Sequence, residues 1–157
     1  MDDIDSKVVS LLCQNGRTSW ADLAQHLNLS APAAAERVRK LEERGIILGY
    51  TALLDAQQFG FGLQAFVAVT LGKSKHRKPF LKAIQKMPEV LECHHVAGEE
   101  DFLLKVLVRD TAHLDQLIAE EIREINGVHR TKTTVVLSTA KETTFGRGER
   151  PNVDVAS

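Results

Sequence analysis

Cys93, His94 and His95 stand side by side, three donors of the kind that bind zinc or copper. Their spacing works against that use. In an extended segment Cys93 and His95 point to one face and His94 to the other, so the three cannot chelate one ion, and no metal site is expected. The chain contains no HExxH, CxxC, GxSxG or phosphate-cradling glycine loop, so neither a catalytic residue nor a cofactor is expected. Two other sets suit binding. Gly98 and Asp101 place a carboxylate just after a tight turn, where it can hold the amino group of a small molecule, although a plain turn uses the same residue types. Arg37, Lys40 and Arg44, with Arg39 among them, concentrate positive charge over a short span that can meet phosphate. A further basic run, Lys73, Lys75, His76, Arg77 and Lys78, reads first as solvated surface; flanking DNA or a neighbouring subunit are its other possible contacts.

These residues need elements to hold them. The chain has 157 residues, 43% hydrophobic and 26% charged, enough for one ordinary domain or two small ones with a buried core. No apolar run approaches the roughly 20 residues that span a bilayer, so no membrane partner is expected. The start is acidic (Asp2, Asp3, Asp5) and lacks the pattern of a secretory signal. Cys13 and Cys93 are too few for a disulfide framework, and a cytoplasmic protein is expected. Net charge is −1, and residues 1–60 carry six Lys or Arg against eight Asp or Glu. No global field draws this chain to phosphate, so one copy should bind nucleic acid weakly and several copies should act together.

Residues 17–50, RTSWADLAQHLNLSAPAAAERVRKLEERGIILGY, read as two short amphipathic helices around a tight turn. A helix before them carries Ile4, Val8, Leu11 and Leu12 on one face, with Asp2 or Asp3 as its cap and Asn15-Gly16 as its end. Ser19 caps the second helix, with Asp22 three residues on, and Trp20, Leu23, Ala24 and Leu27 form its apolar side. Asn28 suits a left-handed terminus and Leu29 plugs the turn. Ser30 caps the third helix, and Pro32 is tolerated in its first turn. There Ala34, Val38 and Leu41 face inward, while Pro32, Ala33, Glu36, Arg37, Lys40 and Arg44 form the other side. Gly45 stops the helix, and Ile46 and Ile47 open a strand. The outline is a helix-turn-helix, winged-helix-like, whose last helix can enter the major groove of double-stranded DNA; a bundle used only for packing has the same outline.

The segment DAQQFGFG, residues 55–62, loses periodicity and suits a linker between a first module at 1–54 and a second at 63–140. Strands are expected at 63–71, 90–96, 101–108 and 128–138. A helix carries Phe80, Leu81, Ile84 and Met87, and another carries Leu114, Leu117, Ile118, Ile122 and Ile125. The order βαββαβ is that of a ferredoxin-like sandwich, making the chain α+β overall. Such a sheet has helices on one face only, and a second subunit is the simplest cover for the other, so a homodimer is expected. The tail 141–157 is polar and expected to be mobile.

The strings DDIDSKVVSLLCQNGRTSWADLAQHLNLS, ERVRKLEERGIILGYTALLD, FGLQAFVAV, MPEVLECHHVAGEEDFLLKVLV and GVHRTKTTVVLS together resemble the Lrp/AsnC family of transcription regulators over residues 2–140. The resemblance implies a DNA-binding domain, a linking strand and a ligand-sensing domain that dimerises, with dimers assembling further, often to octamers, and wrapping or bending promoter DNA. It also implies an amino-acid effector bound between dimers near Gly98 and Asp101. The last strand contributes in the family; here Thr131 and Thr133 share a face and carry hydroxyls, which β-propensity alone would also explain. One departure stands out. Where the family often has Ser or Thr, the recognition helix begins Ala31, Pro32, Ala33, Ala34, Ala35, and methyl groups cannot hydrogen-bond base edges. Ser30, Pro32, Ala33, Glu36, Arg37, Lys40 and Arg44 are the expected DNA residues, with Arg37 and Lys40 supplying much of the affinity. An architectural DNA-binding protein without a ligand and a small enzyme on the ferredoxin-like half remain the alternatives.

Overall fold

The computed structural model describes residues 1–143, which fall into two compact units, one of residues 1–53 with 140–143 and the other Leu54–Thr139. The tail beyond residue 143 lies outside the described residues.

The first unit is three helices, α1 (Asp3–Gln14), α2 (Trp20–Leu27) and α3 (Ala31–Glu43). Local chemistry places each start. Asp2 caps α1 in a reciprocal box with Asp5, the Asp5 N–H donating to Asp2 Oδ1 at 2.7 Å. Ser19 Oγ accepts the Asp22 N–H at 3.1 Å and opens α2; Ser30 Oγ accepts the Ala33 N–H at 3.4 Å and opens α3. Between them Asn28 takes the left-handed conformation, φ 52°, the only positive φ of a non-glycine residue among the described residues. That single residue reverses the chain tightly enough to set α3 across α2. Val8, Leu23, Ala24, Leu27, Ala34, Val38 and Leu41 form the core, with Ile4, Leu11, Leu12, Leu29 and Ile47 packed against it.

Two expectations for this unit fail. Trp20 does not join the apolar side but is 49% exposed. Residues Ile46 and Ile47 do not begin a strand. Gly45, at φ 66°, ends α3, and the N–H groups of both Ile46 and Ile47 turn back to the Leu41 carbonyl, at 2.9 and 3.2 Å. Donors spent on the helix terminus are not available to a ladder, so no wing strand forms among the described residues. Tyr50 instead returns the chain to α3, its hydroxyl donating to Glu42 Oε1 at 2.9 Å; burial and that carboxylate push the phenol up to about 12.

The second unit opens with a single tight helical turn, Ala56–Phe59, capped by Asp55 and closed by Gly60 at φ 81°. Then come β1 (Leu63–Leu71), α4 (Arg77–Ile84), β2 (Val90–His95), β3 (Phe102–Val108), α5 (Thr111–Gln116) and β4 (Val128–Val135). From α5 the chain continues as a wider π-helical turn over Leu117–Ile122. The sheet order is β2-β3-β1-β4, every pair antiparallel, the ferredoxin-like arrangement. Three ends are shorter than expected. Val96 and Asp101 lie just outside β2 and β3, and β4 stops at Val135.

Alternation sorts the two faces. Ala65, Val67 and Val69 of β1 pair with Val106, Leu104 and Phe102 of β3, all buried, and Phe80, Ile84, Leu114, Leu117 and Ile122 of the helical segments join them in one core. The opposite face carries Phe66 and Ala68 of β1 with Leu103 and Leu107 of β3, all only partly covered.

Candidate nucleic-acid and effector sites

The outward face of α3 is narrower than its sequence suggested. Ala34, Val38 and Leu41 are buried, so the side opposite them holds Pro32, Ala33, Glu36, Arg39, Lys40 and Glu43, all exposed. Arg39 belongs to this face and was missing from the expected set; its position one residue after the buried Val38 is the signal that points to it. Arg37 and Arg44 sit elsewhere, on the flank that meets the start of α1. Arg37 Nη1 donates to Asp2 Oδ2 at 2.5 Å and to Asp5 Oδ1 at 2.7 Å, and Arg44 Nη1 lies 3.8 Å from Asp5 Oδ2. Ser30 lies before both sets, its hydroxyl committed to the cap.

Every cation of α3 therefore has an acid beside it. Arg39 is held by Glu36, with Nη2 to Oε1 at 2.7 Å, and by Glu43; Lys40 reaches Glu36 at 3.6 Å. The Arg39 hydrogen bond holds the Glu36 carboxyl down at about 2, and the Arg39 guanidinium is raised in turn, chiefly by Glu36. Asp2 is held below its ordinary value first by the Asp5 N–H and then by Arg37. The hydrogen bond to Asp2, followed by that to Asp5, raises Arg37. The two networks differ in one respect. The Glu36–Arg39–Glu43 set is solvent-facing and lies within one helix, so it exchanges partners at small cost. The Arg37 set joins residues 32 and 35 positions apart in the chain and ties α1 to α3.

In the second unit Asp101 stands just before β3. Its N–H donates to the Val69 carbonyl at 3.0 Å, and its carboxylate Oδ2 accepts the Leu71 N–H at 2.7 Å. The carboxylate thus finishes the end of β1, with Oδ1 uncommitted among the described residues. Gly98, in the loop from residue 96 to 101, is exposed and meets open space where a side chain would go. Thr131 pairs with Val69 and Thr133 with Val67, so both threonines lie across β1 from Asp101, Thr131 at the same end of the sheet and Thr133 two pairs further in. No hydrogen bond joins these four residues to one another among those described. Thr70 is a residue that the sequence did not flag. Its Oγ1 is buried without a hydrogen-bond partner among the described residues, next to the Leu71 N–H that Asp101 holds. A hydroxyl left so costs about 1–3 kcal/mol unless a ligand or water completes it.

The cysteine–histidine run behaves as strand alternation requires. Cys93 packs against the core, where burial raises its thiol, and the His95 ring lies 5.3 Å from that of Phe102. His94 is on the other face with Glu92, Nε2 to Oε2 2.8 Å apart, a contact that holds the Glu92 carboxyl below its ordinary value.

Comparison with known proteins bears on both units. Residues 1–42 match the AsnC-type helix-turn-helix domain, and residues 64–145 match the Lrp/AsnC ligand binding domain. A leucine-responsive regulatory protein of Haemophilus influenzae is 39% identical over 147 residues, covering 92% of this chain and 89% of the relative. One of Escherichia coli strain K12 is 38% identical over 144 residues, covering 90% and 88%. Among solved structures, a transcriptional regulator of Neisseria meningitidis in complex with L-methionine superposes with a TM-score of 0.88 at 32% identity, covering 92% of this chain and 94% of that one. A feast or famine regulatory protein of M. tuberculosis, also complexed with L-methionine, gives 0.83 at 36% identity, covering 90% and 95%.

Proposed function

The chain belongs to the Lrp/AsnC family of transcription regulators, and we propose that its DNA binding is modulated by a free amino acid acting on the second unit. As a family of regulators, this one assigns the chain DNA binding rather than catalysis. The outward face of α3 supports the DNA reading: a helix held by the Asn28 turn, with Pro32, Ala33, Glu36, Arg39 and Lys40 exposed on one side. Ser30 orients that helix through its cap. With alanines at its start, α3 offers methyl contact to thymine but few hydrogen bonds to base edges. Selectivity then rests on DNA shape and on several copies in register.

Asp101, Gly98 and Thr131, with Thr133 further along β4, form the proposed effector region, and Thr70, on the opposite face of β1 from the two threonines, adds an unsatisfied hydroxyl next to the Leu71 N–H that Asp101 holds. The uncommitted Asp101 oxygen is the acceptor for the ligand's ammonium group, and the open side of Gly98 leaves room for the ligand's backbone. Two similar proteins of known structure carry L-methionine, which makes apolar amino acids the first class to try. The half-covered apolar face of Phe66, Ala68, Leu103 and Leu107 is the proposed dimer contact, from which larger assemblies, octamers among them, are built in the cytoplasm.

Footprinting on duplexes selected by the protein itself, repeated across a panel of free amino acids, tests both halves. Sequence-selective protection that one amino acid alters in extent or affinity is the expected result. Protection without any response to the panel overturns the effector, and unselective protection overturns the regulator. An Asp101→Ala variant should keep the footprint and lose the response.

A further inference from the structure

Between Asp55 and Glu89 the chain contains no acid at all, yet it carries Lys73, Lys75, Arg77, Lys78, Lys82 and Lys86. All six are exposed. Phe80 and Ile84 take the buried side of α4, so Lys78 and Lys82, one turn apart, stand on the side away from the core. Lys75 and Lys86, before and after the helix, extend the line. No ion pair engages any of the six among the described residues, in contrast to α3, where every cation has an acid beside it. Arg77 alone has a partner of another kind, the Phe102 ring, at 5.8 Å from its centroid.

Same-sign charges at i, i+4 oppose helix formation, and no acid among the described residues pairs with Lys78 or Lys82. A surface that works against its own fold in this way is suited to an external polyanion. The chain's own activity names one. Duplex DNA carries a charge per about 1.7 Å of axis, and release of its counterions by lysines supplies the sequence-independent share of binding. The helix-turn-helix unit is poorly equipped for that share, having more acids than bases over residues 1–60 and internally neutralised cations on α3.

We propose that the lysine stripe of α4 grips the phosphodiester backbone of duplex DNA outside the segment read by α3, so that DNA contacts the second unit as well as the first. This rests on the regulator reading above. The other occupant of suitable charge is the segment bearing Asp115, Glu120, Glu121 and Glu124 on a second copy of the chain. DNA is favoured because the acid-paired cations of α3 leave part of the phosphate contribution unsupplied.

The test compares the full chain with a Lys78→Gln, Lys82→Gln double variant and a Lys78→Arg, Lys82→Arg control. Each is titrated across salt concentrations onto a short duplex limited to the selected site and a long duplex with random flanks. The Gln variant should lose about 2 from the slope of log affinity against log salt on the long duplex, about 0.9 per phosphate contact. It should match the parent on the short one, and the Arg control should match the parent on both. Thermal stability of the Gln variant should be unchanged or slightly higher, since the like-charge pair is gone. An unchanged slope on the long duplex overturns the proposal. So does an unchanged slope with a shift in sedimenting mass, which assigns the stripe to contacts between copies. If the parent binds neither duplex, the regulator reading itself falls.

Discussion

Arg37 and Arg39 show how two neighbouring cations on one helix come to different roles. Arg37 bridges two acids at the start of α1, whereas Arg39 faces solvent between Glu36 and Glu43. Arg39→Ala should lower the salt slope of DNA binding by about one unit and leave the thermal midpoint nearly unchanged. Arg37→Ala should lower the midpoint of the helical unit, with a smaller change in slope once binding is measured well below that midpoint. Equal slopes lost in both variants would return Arg37 to the DNA interface. The acids of these networks also set a pH window. Asp2 titrates below its ordinary 3.8 and Glu36 near 2 in the folded chain, against an ordinary 4.5. Carboxyls depressed in this way stabilise the fold above their unfolded values and lose that contribution as pH falls through the folded ones. Because the Glu36 set is solvent-facing and exchanges partners at small cost, the drop in thermal midpoint should come from Asp2, as pH falls below 3.8. Asp2→Asn should start lower at neutral pH and fall less steeply over that range, which melts followed by circular dichroism will resolve.

At the scale of elements, ends matter more than middles. The caps Asp2, Ser19 and Ser30, the left-handed Asn28 and the glycine stop at Gly45 were legible in the sequence because each acts on backbone groups only a few residues away. The missing strand after α3 was not legible, since Ile46 and Ile47 have ordinary strand character and their donors are taken by a carbonyl in the preceding helix. One element end is set by contact rather than by local preference. Gly127 has φ 98°, and an added Cβ would overlap the His76 side chain, while its carbonyl accepts the Gly72 N–H at 2.9 Å. Gly127→Ala should destabilise the second unit by more than about 1 kcal/mol, as strain at a positive φ and a clash act together. Replacing His76 with Gly in that background should recover the clash but not the strain, since the His76 Cβ is itself among the overlapping atoms, and a chemical denaturation series on the parent, the two single variants and the double variant measures the division.

For the whole molecule, the sheet is what a single chain leaves incomplete. Its helix-covered face is closed by Phe80, Ile84, Leu114, Leu117 and Ile122; its other face presents Phe66, Ala68, Leu103 and Leu107 half-covered. Leu103→Glu should convert the proposed dimer toward monomer in sedimentation experiments and weaken DNA binding about tenfold or more by removing paired reading heads. An unchanged mass would place the dimer contact elsewhere. The sequence by itself determined the class of each element, the order that makes the α+β fold and the family, because periodicity, caps and motif strings are properties of residues close in the chain. Tertiary structure alone decided which cations are free. Whether a lysine or arginine meets phosphate depends on acids that packing brings beside it, and residues 2, 5 and 37 become neighbours only when α1 and α3 close on one core. By the same reasoning, the basic run that reads as plain surface in sequence stands out in the structure, where no ion pair among the described residues neutralises it.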